Sequence, residues 1–510
     1  MTNNVVALLK LRGPCLSSDL ARSMVESGLS EAAARQRITR ARHEYKRLAG
    51  LRFSKNARFI YLDDQYGTQQ FWSAIEQAFK VSGPAYWSAF IGLRARGGVC
   101  PKSMFPIVSG APLARSRQLS PDRILERLCA INLLEEYQDF ESGQSFIRFK
   151  PFSYQKDSDA RLNAIMIAEL TALQAVCDWA RKLGFGSYGK FKQRDSAELP
   201  VVSSIAWDIS APSYMRPIVS SMNGKIRPGF FVCDINLRDT ITEDQVALFV
   251  RKHNIASGPH NVAPIMPFLI GDDFSQGAFN LARSNGVLAT TVEILFGRDT
   301  AKSLRDLIDL LSNSGATAAV NPGHLLKVMG ALTKIEGAAN NLRGAVFELV
   351  IGSLAKDIEG GFLLAGEKRK EPLSGRAAEI DILLDRPDGQ AVLVVECKSK
   401  IPGATVRLDE VEHWLNNRVP LIREILSYDS RINERNFHFE IWSNGPFSED
   451  AISWLNSQSK CYPNYTIDWK AGSALREYSK KAKSAAIRKI LREHYYIHPL
   501  TKINTINKSQ

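Results

Sequence analysis

The chain is poor in the residues that build metal ribbons, disulfide scaffolds and membrane spans. Its seven cysteines (Cys15, Cys100, Cys129, Cys177, Cys233, Cys397, Cys461) lie far apart and form no C-x-x-C pair. That excludes a zinc ribbon and argues against a disulfide framework, so their expected role is as small buried hydrophobes. The eight histidines form no ligand-spaced cluster; His494 and His498 are at i, i+4 but lack a third ligand. No apolar run approaches the roughly 20 residues that a bilayer span needs. Lys10 and Arg12 interrupt the short apolar stretch 5–9, so no secretory signal is read there. A cytoplasmic protein without a membrane partner is the expectation. Nucleotide loops are missing too. Gly184-Phe-Gly-Ser-Tyr-Gly189 follows a predicted helix where the dinucleotide fingerprint needs a strand. In Gly361-Phe-Leu-Leu-Ala-Gly366-Glu367-Lys368 an acid displaces the lysine of a phosphate loop, so no motor of the chain's own is expected.

What is present is an ordinary globular composition, 45% hydrophobic and 23% charged, with a formal charge of +13 over 510 residues. At about 100–200 residues per domain this length holds several domains, and the basic excess favours an anionic partner such as nucleic acid. Composition and element pattern divide the chain at 1–66, 67–155, 156–300, 301–340, 341–472 and a basic helical tail, 473–510.

The first 66 residues read as three helices followed by two strands. The helices are expected at Val5–Leu11, Leu20–Glu26 and, capped by Ser30, Glu31 to about Leu48; the strands are expected at Leu51–Phe53 and Phe59–Leu62. This is the pattern of a winged helix. The third helix carries Arg35, Arg37, Arg40, Arg42, Lys46 and Arg47, with Arg52, Lys55 and Arg58 following. A one-sided basic helix is what a recognition helix presents to the major groove or to phosphates, so these are the candidate nucleic-acid contacts, with double-stranded DNA as the partner. A solvated face on a protein-binding module is the other reading. A similar plan follows between 67 and 155. It has a helix at Tyr86–Arg94, a break at Gly97-Gly98, a helix capped by Ser120 and running to about Ala130, and strands at 133–137 and 146–149 around Gly143. Its last helix is less basic and is expected to position or dimerise.

Residues 156–300 read as mixed α/β. A long helix is expected at Ala160–Leu183, then strands near Ser203–Ile209 and Gly229–Asn236, a helix at about Glu243–Lys252, a strand at Pro267–Ile270, a helix from Ser275 and a strand at Val287–Leu295. After a helical connector the order recurs, with a helix at 341–357, strands at 362–365, 379–384 and 391–398, a helix at 409–427, a strand at 437–442, a helix at 448–458 and a strand at 464–468. One local match crosses the two regions. Phe268-Leu-Ile leads to Phe274-Ser275-x-x-Ala278, and Phe439-Glu-Ile leads to Phe447-Ser448-x-x-Ala451. A duplicated core and generic strand–cap–helix grammar both account for it.

The chemistry is expected in the last region. Glu379-Ile-Asp381-Ile-Leu-Leu and Val392-Leu-Val-Val-Glu396-Cys397-Lys398 are apolar runs that carry charge, although a buried strand normally excludes unpaired ionised groups. Strand alternation puts Glu379, Asp381 and Leu383 on one face, and Glu396, Lys398 and Lys400 on one face of the next strand. With a hairpin turn at Pro387-Asp388-Gly389, Asp381 and Glu396 converge, a donor pair suited to a hard cation such as Mg²⁺. Lys398 would then polarise an attacking water or balance charge on a pentacovalent phosphate. Cys397 points to the opposite face. Upstream, Glu348 sits in a helix apolar nearly all round, between Gly344 and Gly352, which would let a strand approach closely. That helix would bring a third carboxylate to the ion.

On these residues, over roughly 325–470, the chain resembles the PD-(D/E)XK nuclease superfamily, the restriction-endonuclease-like fold. It does so through Glu348 in the first core helix, Asp381 on a strand and Glu396-Cys397-Lys398 on the next; no proline directly precedes Asp381. The resemblance implies a multidomain α/β protein with N-terminal winged-helix (helix-turn-helix) modules and a C-terminal nuclease core. It implies Asp381, Glu396, Lys398 and Glu348 as catalytic residues. The implied ligands of Mg²⁺, or of Mn²⁺ in its place, are Asp381, Glu396, Glu348 and the backbone carbonyl of Cys397. It further implies DNA cleavage in a bacterial restriction or anti-phage setting, with a helicase or ATPase partner or a homodimer. A DNA-binding regulator or scaffold on an inactive nuclease fold, and a repair or recombination nuclease acting on junctions or ends, are the alternatives. By the same resemblance 156–300 reads as a degenerate copy, with Glu169 in its leading helix, Asp208 and Asp234 on strands, and Asn236 where the lysine would stand.

Overall fold

The computed structural model describes residues 4–496 apart from 52, 117, 139–143, 152–153, 155–158, 223–224, 260–261, 313–321, 333–337, 401–403, 459–461 and 463–464. It is a multidomain mixed α/β protein that divides into two compact units, one of 1–138, 145–157 and 183–291, the other of 139–144, 158–182 and 292–510. Among the described residues no helix is long and apolar enough to cross a membrane.

The first unit opens with α1 (Val5–Arg12), β1 (Cys15–Leu16), α2 (Ser17–Glu26), α3 (Glu31–Arg40), β2 (Lys46–Arg47) and β3 (Phe59–Tyr61), the strands ordered β1-β3-β2. Ser30 caps α3 through its hydroxyl, which accepts the Ala33 N–H at 3.3 Å. α3 ends at Arg40, well short of Leu48. Ala41 and Tyr45 turn into the core there, and the Tyr45 hydroxyl donates to the Ile38 carbonyl. The strand expected at 51–53 lies earlier, at Lys46–Arg47. Next come α4 (Gln69–Ser82), α5 (Pro84–Ala95), β4 (Val99–Pro101), α6 (Phe105–Ser109), α7 (Pro121–Ala130), β5 (Leu134–Gln138) and β6 (Ser145–Phe149), ordered β4-β6-β5, the same plan again. The expected turn at Gly143 lies outside the described residues.

The long helix α8 (Asp159–Lys182) belongs to the second unit, where it packs on two helices described below, instead of leading the α/β region that follows it. Glu169 goes with it. That region holds β7 (Lys192–Gln193), a hairpin of β8 (Val201–Val202) and β9 (Ile205–Ala206), β10 (Ile209–Ser213), a hairpin of β11 (Ser220–Met222) and β12 (Lys225–Arg227), and β13 (Gly229–Asn236). α9 (Glu243–Ser257), β14 (Ile265–Gly271), α10 (Gln276–Ser284) and β15 (Leu288–Thr291) complete it. Its sheet runs β7-β10-β13-β14-β15, antiparallel for the first two pairings and parallel for the last two.

In the second unit α11 (Val292–Phe296), α12 (Arg298–Ser312), α13 (Pro322–Leu332) and α14 (Ala338–Glu359) precede a sheet of β16 (Phe362–Lys370), β17 (Ala377–Asp385), β18 (Ala391–Lys398), β19 (Asn436–Ser443) and β20 (Tyr465–Lys470). α8 packs on α12 and α14. The sheet order β16-β17-β18-β19-β20 again gives two antiparallel and then two parallel pairings. The connection from β18 to β19 runs through α15 (Leu408–His413), a π-helical segment (Trp414–Arg418) and α16 (Val419–Ser427), and α17 (Glu449–Gln458) joins β19 to β20. α18 (Gly472–Ser479) and α19 (Ala485–Ile490) follow.

Residues 391–397 of β18 are buried throughout because the strand is covered on both faces. α14 supplies one cover, with Val346, Phe347, Val350, Ile351 and Leu354 fully buried. The other is built by Val411, Trp414, Leu415, Val419 and Ile422 of the crossover, packed with Val392 and Val394. Each such side chain contributes about 1.5–3 kcal/mol by leaving water. The helix expected over 409–427 is thus broken in the middle. Pro420 has no N–H to continue the i→i−4 ladder, and a π segment inserts a residue there.

Candidate active site

The hairpin between β17 and β18 is laddered only from Ile382–Val395 to Asp385–Val392. Beyond Ile382 the two strands part, and Asp381 takes over. Its Oδ2 accepts the Cys397 N–H at 2.7 Å, where a ladder carbonyl would otherwise accept. Side-chain alternation slips at the same point. Ile380 and Leu383 both enter the apolar cluster under the crossover, while Ile382 turns toward Gly352 of α14. Leu383 therefore does not continue the Glu379–Asp381 face. The slip opens a notch with Asp381 on one side and Glu396 and Lys398 on the other.

Glu396 is 6% exposed and accepts from Lys398 Nζ at 2.8 Å. Arg418, from the π segment, places Nε 3.0 Å from Glu396 Oε2 and Nη2 3.7 Å from Asp381 Oδ1, and it donates to the Glu379 carbonyl at 2.8 Å. Burial raises the Asp381 carboxyl well above the ordinary range; Glu396 adds to this, and Arg418 and the Cys397 N–H only partly offset it. Glu348 of α14 is half-buried. Burial, then the charges of Asp381, Glu379 and Glu396, push its carboxyl well up, which places it within electrostatic reach of the pair. Lys398 is pulled down by burial, but Glu396 and Asp381 carry it above the ordinary value, so it holds its proton at neutral pH. An ammonium of this kind cannot act as a base. It can stabilise developing negative charge.

Asp381, Glu396 and Lys398 thus stand together with Arg418, and Glu348 is linked to them by the effect of their charges on its carboxyl. Cys397 is buried, the charges of Asp381, Glu348 and Glu396 help to raise its thiol, and its N–H serves the site through Asp381. Two expectations change. Lys400 turns to Glu410, with Nζ 2.7 Å from both carboxylate oxygens, and does not join the group. Nor do the glycines flanking Glu348 make a close approach among the described residues: a methyl at Gly352 would sit 3.5 Å from Leu363, an ordinary contact, and one at Gly344 would meet nothing within 4 Å. Arg418 was missed. Its one sequence signal is a proline two residues on, inside a strongly helical pattern, which marks an interrupted helix.

The donor set fits a hard divalent ion. It offers carboxylate oxygens from two strands and a helix, with no thiolate or imidazole among them. Among the described residues no three His, Cys, Asp or Glu side chains form a ready-made cage. Mg²⁺ needs none, since it keeps several waters and takes one or two carboxylates.

The candidate nucleic-acid residues lie in the first unit. Arg35, Arg37 and Arg40 are on α3, Arg42 is in the turn after it, and Lys46 and Arg47 are on β2; all six are exposed. Arg35 pairs with Glu31, Lys46 lies 3.8 Å from Asp63, and Arg47 donates to the Tyr45 hydroxyl. Exposed pairs of this kind cost little to exchange for phosphate.

No family model matches the chain, and neither the curated proteins nor the solved structures provide a match.

Proposed function

We propose that this protein is a divalent-metal-dependent nuclease of the PD-(D/E)XK type that hydrolyses phosphodiester bonds in DNA. In this reading 1–66 and 67–155 are winged-helix modules that hold the duplex. The observation that carries the reading is the notch where β17 and β18 part, which gathers Asp381, Glu396 and Lys398 at one point with Glu348 in reach. Burial and the neighbouring Glu396 leave Asp381 with a raised proton affinity that Arg418 does not offset, and perturbed carboxyls of this kind cluster at functional sites.

Asp381, Glu396 and Glu348, with the Cys397 carbonyl, would hold Mg²⁺ or Mn²⁺, and the ion would lower the pKa of a bound water and screen the phosphate. The Lys398 ammonium stands beside these carboxylates to offset charge on the phosphoryl oxygens in the transition state. Arg418 holds Glu396 and Asp381 in place and supplies a second positive group at the same edge. The Cys397 N–H fixes Asp381 Oδ2, and Oδ1, 3.7 Å from Arg418 Nη2, is the oxygen that would turn to the ion.

The test is digestion of plasmid, linear, branched DNA and RNA in Mg²⁺ by wild type and by Lys398→Ala. Cleavage of a DNA substrate by wild type alone supports the proposal; equal cleavage by both, or none by wild type on any substrate with a helicase added, overturns it. Which DNA is cut separates a defence setting from action at junctions or ends.

A further inference from the structure

The two five-stranded sheets agree well beyond strand order and direction. In the first, the β10–β13 ladder ends at Ile209–Cys233, as β17–β18 ends at Ile382–Val395. One residue past that end stands Asp208, whose Oδ2 accepts the Ile235 N–H at 2.9 Å, as Asp381 accepts from Cys397. Asp234 then corresponds to Glu396 and Asn236 to Lys398. Ile241 bridges Phe274 in parallel fashion, donating to Asp273 O and accepting from Ser275 N. Val406 does the same with Phe447, between Pro446 O and Ser448 N. The Phe-Ser-x-x-Ala part of the sequence match is therefore in register. The strand part is off by one, since Asp234 lies beside Leu269 and Glu396 beside Ile441. The crossover helices correspond as well. Lys252 comes 11 positions after Ile241 and Arg418 12 after Val406, and the π segment accounts for the extra residue.

The chemistry of the two carboxylate pairs differs. Asp208 is fully buried, with Arg194 Nη1 at 3.2 Å and Arg96 Nη2 at 3.1 Å. Asp234 is paired with Lys252, which is 1% exposed, donates to the Ile107 carbonyl and lies 4.6 Å from the Trp207 ring centroid. Asn236 donates to the Ala95 carbonyl at 3.2 Å. Arg96 directly follows α5, Ala95 ends it, and Ile107 is in α6. Of these partners Arg96, Ala95 and Ile107 come from the 84–109 segment, and Arg194, Trp207 and Lys252 do not.

We infer that the sheet of residues 183–291 is a second copy of the C-terminal core, whose carboxylate pair holds the chain's own cations in place of a divalent ion and serves as the joint that seats α5 and α6 on the sheet. The copy relation stands on topology and hydrogen bonding; only the contrast with a divalent ion rests on the proposed nuclease reading. The chain then has one cutting centre, and a double-strand break takes two chains or two successive nicks.

Two measurements on the full chain test this. Mn²⁺ titration by electron paramagnetic resonance is expected to count a single site, lost in Asp381→Asn and kept in Arg96→Gln. A Mn²⁺ site that survives Asp381→Asn and is lost in Asp208→Asn overturns the inference. Amide hydrogen exchange reads the joint without any metal. Removing one partner of a buried ion pair should speed exchange over 84–109 and at Ile235 on the order of a hundredfold in Arg96→Gln, and less than about tenfold in the charge-conserving Arg96→Lys. Unchanged exchange in Arg96→Gln overturns the joint. A chain that binds no Mn²⁺ yet shows the hundredfold acceleration overturns the nuclease proposal and supports the joint.

Discussion

In the first sheet two carboxylates, Asp208 and Asp234, face three cations, Arg96, Arg194 and Lys252. In the second, three carboxylates, Glu348, Asp381 and Glu396, face two cations, Lys398 and Arg418. One backbone plan thus supports opposite charge balances. Proton affinities follow the balance only in part, since burial and Asp208 raise Asp234 although Lys252 lowers it. Burial pushes Asp208 up, but Arg194 and Arg96 overcome it and the carboxyl ends below the ordinary range. Burial and Glu396 leave Asp381 well above it. A site with surplus negative charge at a sheet edge is stabilised by an added cation, whereas a site already closed by guanidinium groups gains nothing from one. The lesson is that an acidic pair past the end of a strand ladder says nothing about activity until its cations are counted.

The comparison breaks most visibly on paired substitutions. Lys398→Ala should lower Mg²⁺-dependent cleavage by about 10²–10⁴-fold, and Asn236→Ala should leave the rate within a few-fold, as read in single-turnover nicking. Stability should respond in the opposite sense. Asp208→Asn should cost about 3–5 kcal/mol by removing the buried carboxylate that faces Arg194 and Arg96. Asp381→Asn should leave the urea midpoint unchanged or raise stability by about 1 kcal/mol, because it relieves crowding of like charge. Equal losses in the two variants would erase the distinction.

Arg418→Ala sharpens it further. Removing that guanidinium from the carboxylate pair should tighten Mn²⁺ binding on the order of tenfold while cleavage falls; a purely structural arginine would weaken both. pH supplies a subtler contrast, measured by hydrogen exchange with divalent ions chelated. Glu348 and Asp381 have raised folded-state affinities for protons. Their contribution to stability is full below the unfolded carboxylate value of about 4 and is lost as pH rises through the folded value. Asp208 is depressed. Its contribution is full above about 4 and is lost as pH falls through the folded value. Asp234 beside it is raised and follows the first pattern, so mild acidification from neutrality should firm the surroundings of Asp381 and of Asp234, and only stronger acid should loosen the contacts of Asp208. Glu348→Gln should flatten the first trend. The smallest effect is expected at the exposed arginines. Arg37→Ala and Arg40→Ala should each weaken duplex binding without regard to sequence and reduce the salt slope by about 0.9 per lost phosphate contact.

Much of this was legible in the chain. The apolar run 391–397 and its acid-x-lysine end announced both a buried strand and the charged residues at its rim, because burial on two faces demands apolar side chains along the covered length. The serine caps at Ser30, Ser120 and Ser275 marked helix starts through a local hydrogen bond that needs no tertiary partner. Illegible were features made by contacts distant in sequence. Helix α3 stops at Arg40 because Tyr45 finds the Ile38 carbonyl, and Arg418 reaches the carboxylates because a π segment inserts a residue before it. Glu169 was misassigned because a helix adjacent in sequence carries no label of the sheet it will pack against.

The order of residues alone determined the serine caps, the buried strand 391–398 and which acid and lysine stand at its end, since pleat, cap and apolar period are local consequences of side-chain chemistry. Only the folded molecule decided which cations meet those acids. Arg96 comes to Asp208 from 112 positions away and Arg418 to Glu396 from the far side of a helix. Charge compensation in a low-dielectric interior depends on distance in space, and chain order does not encode that.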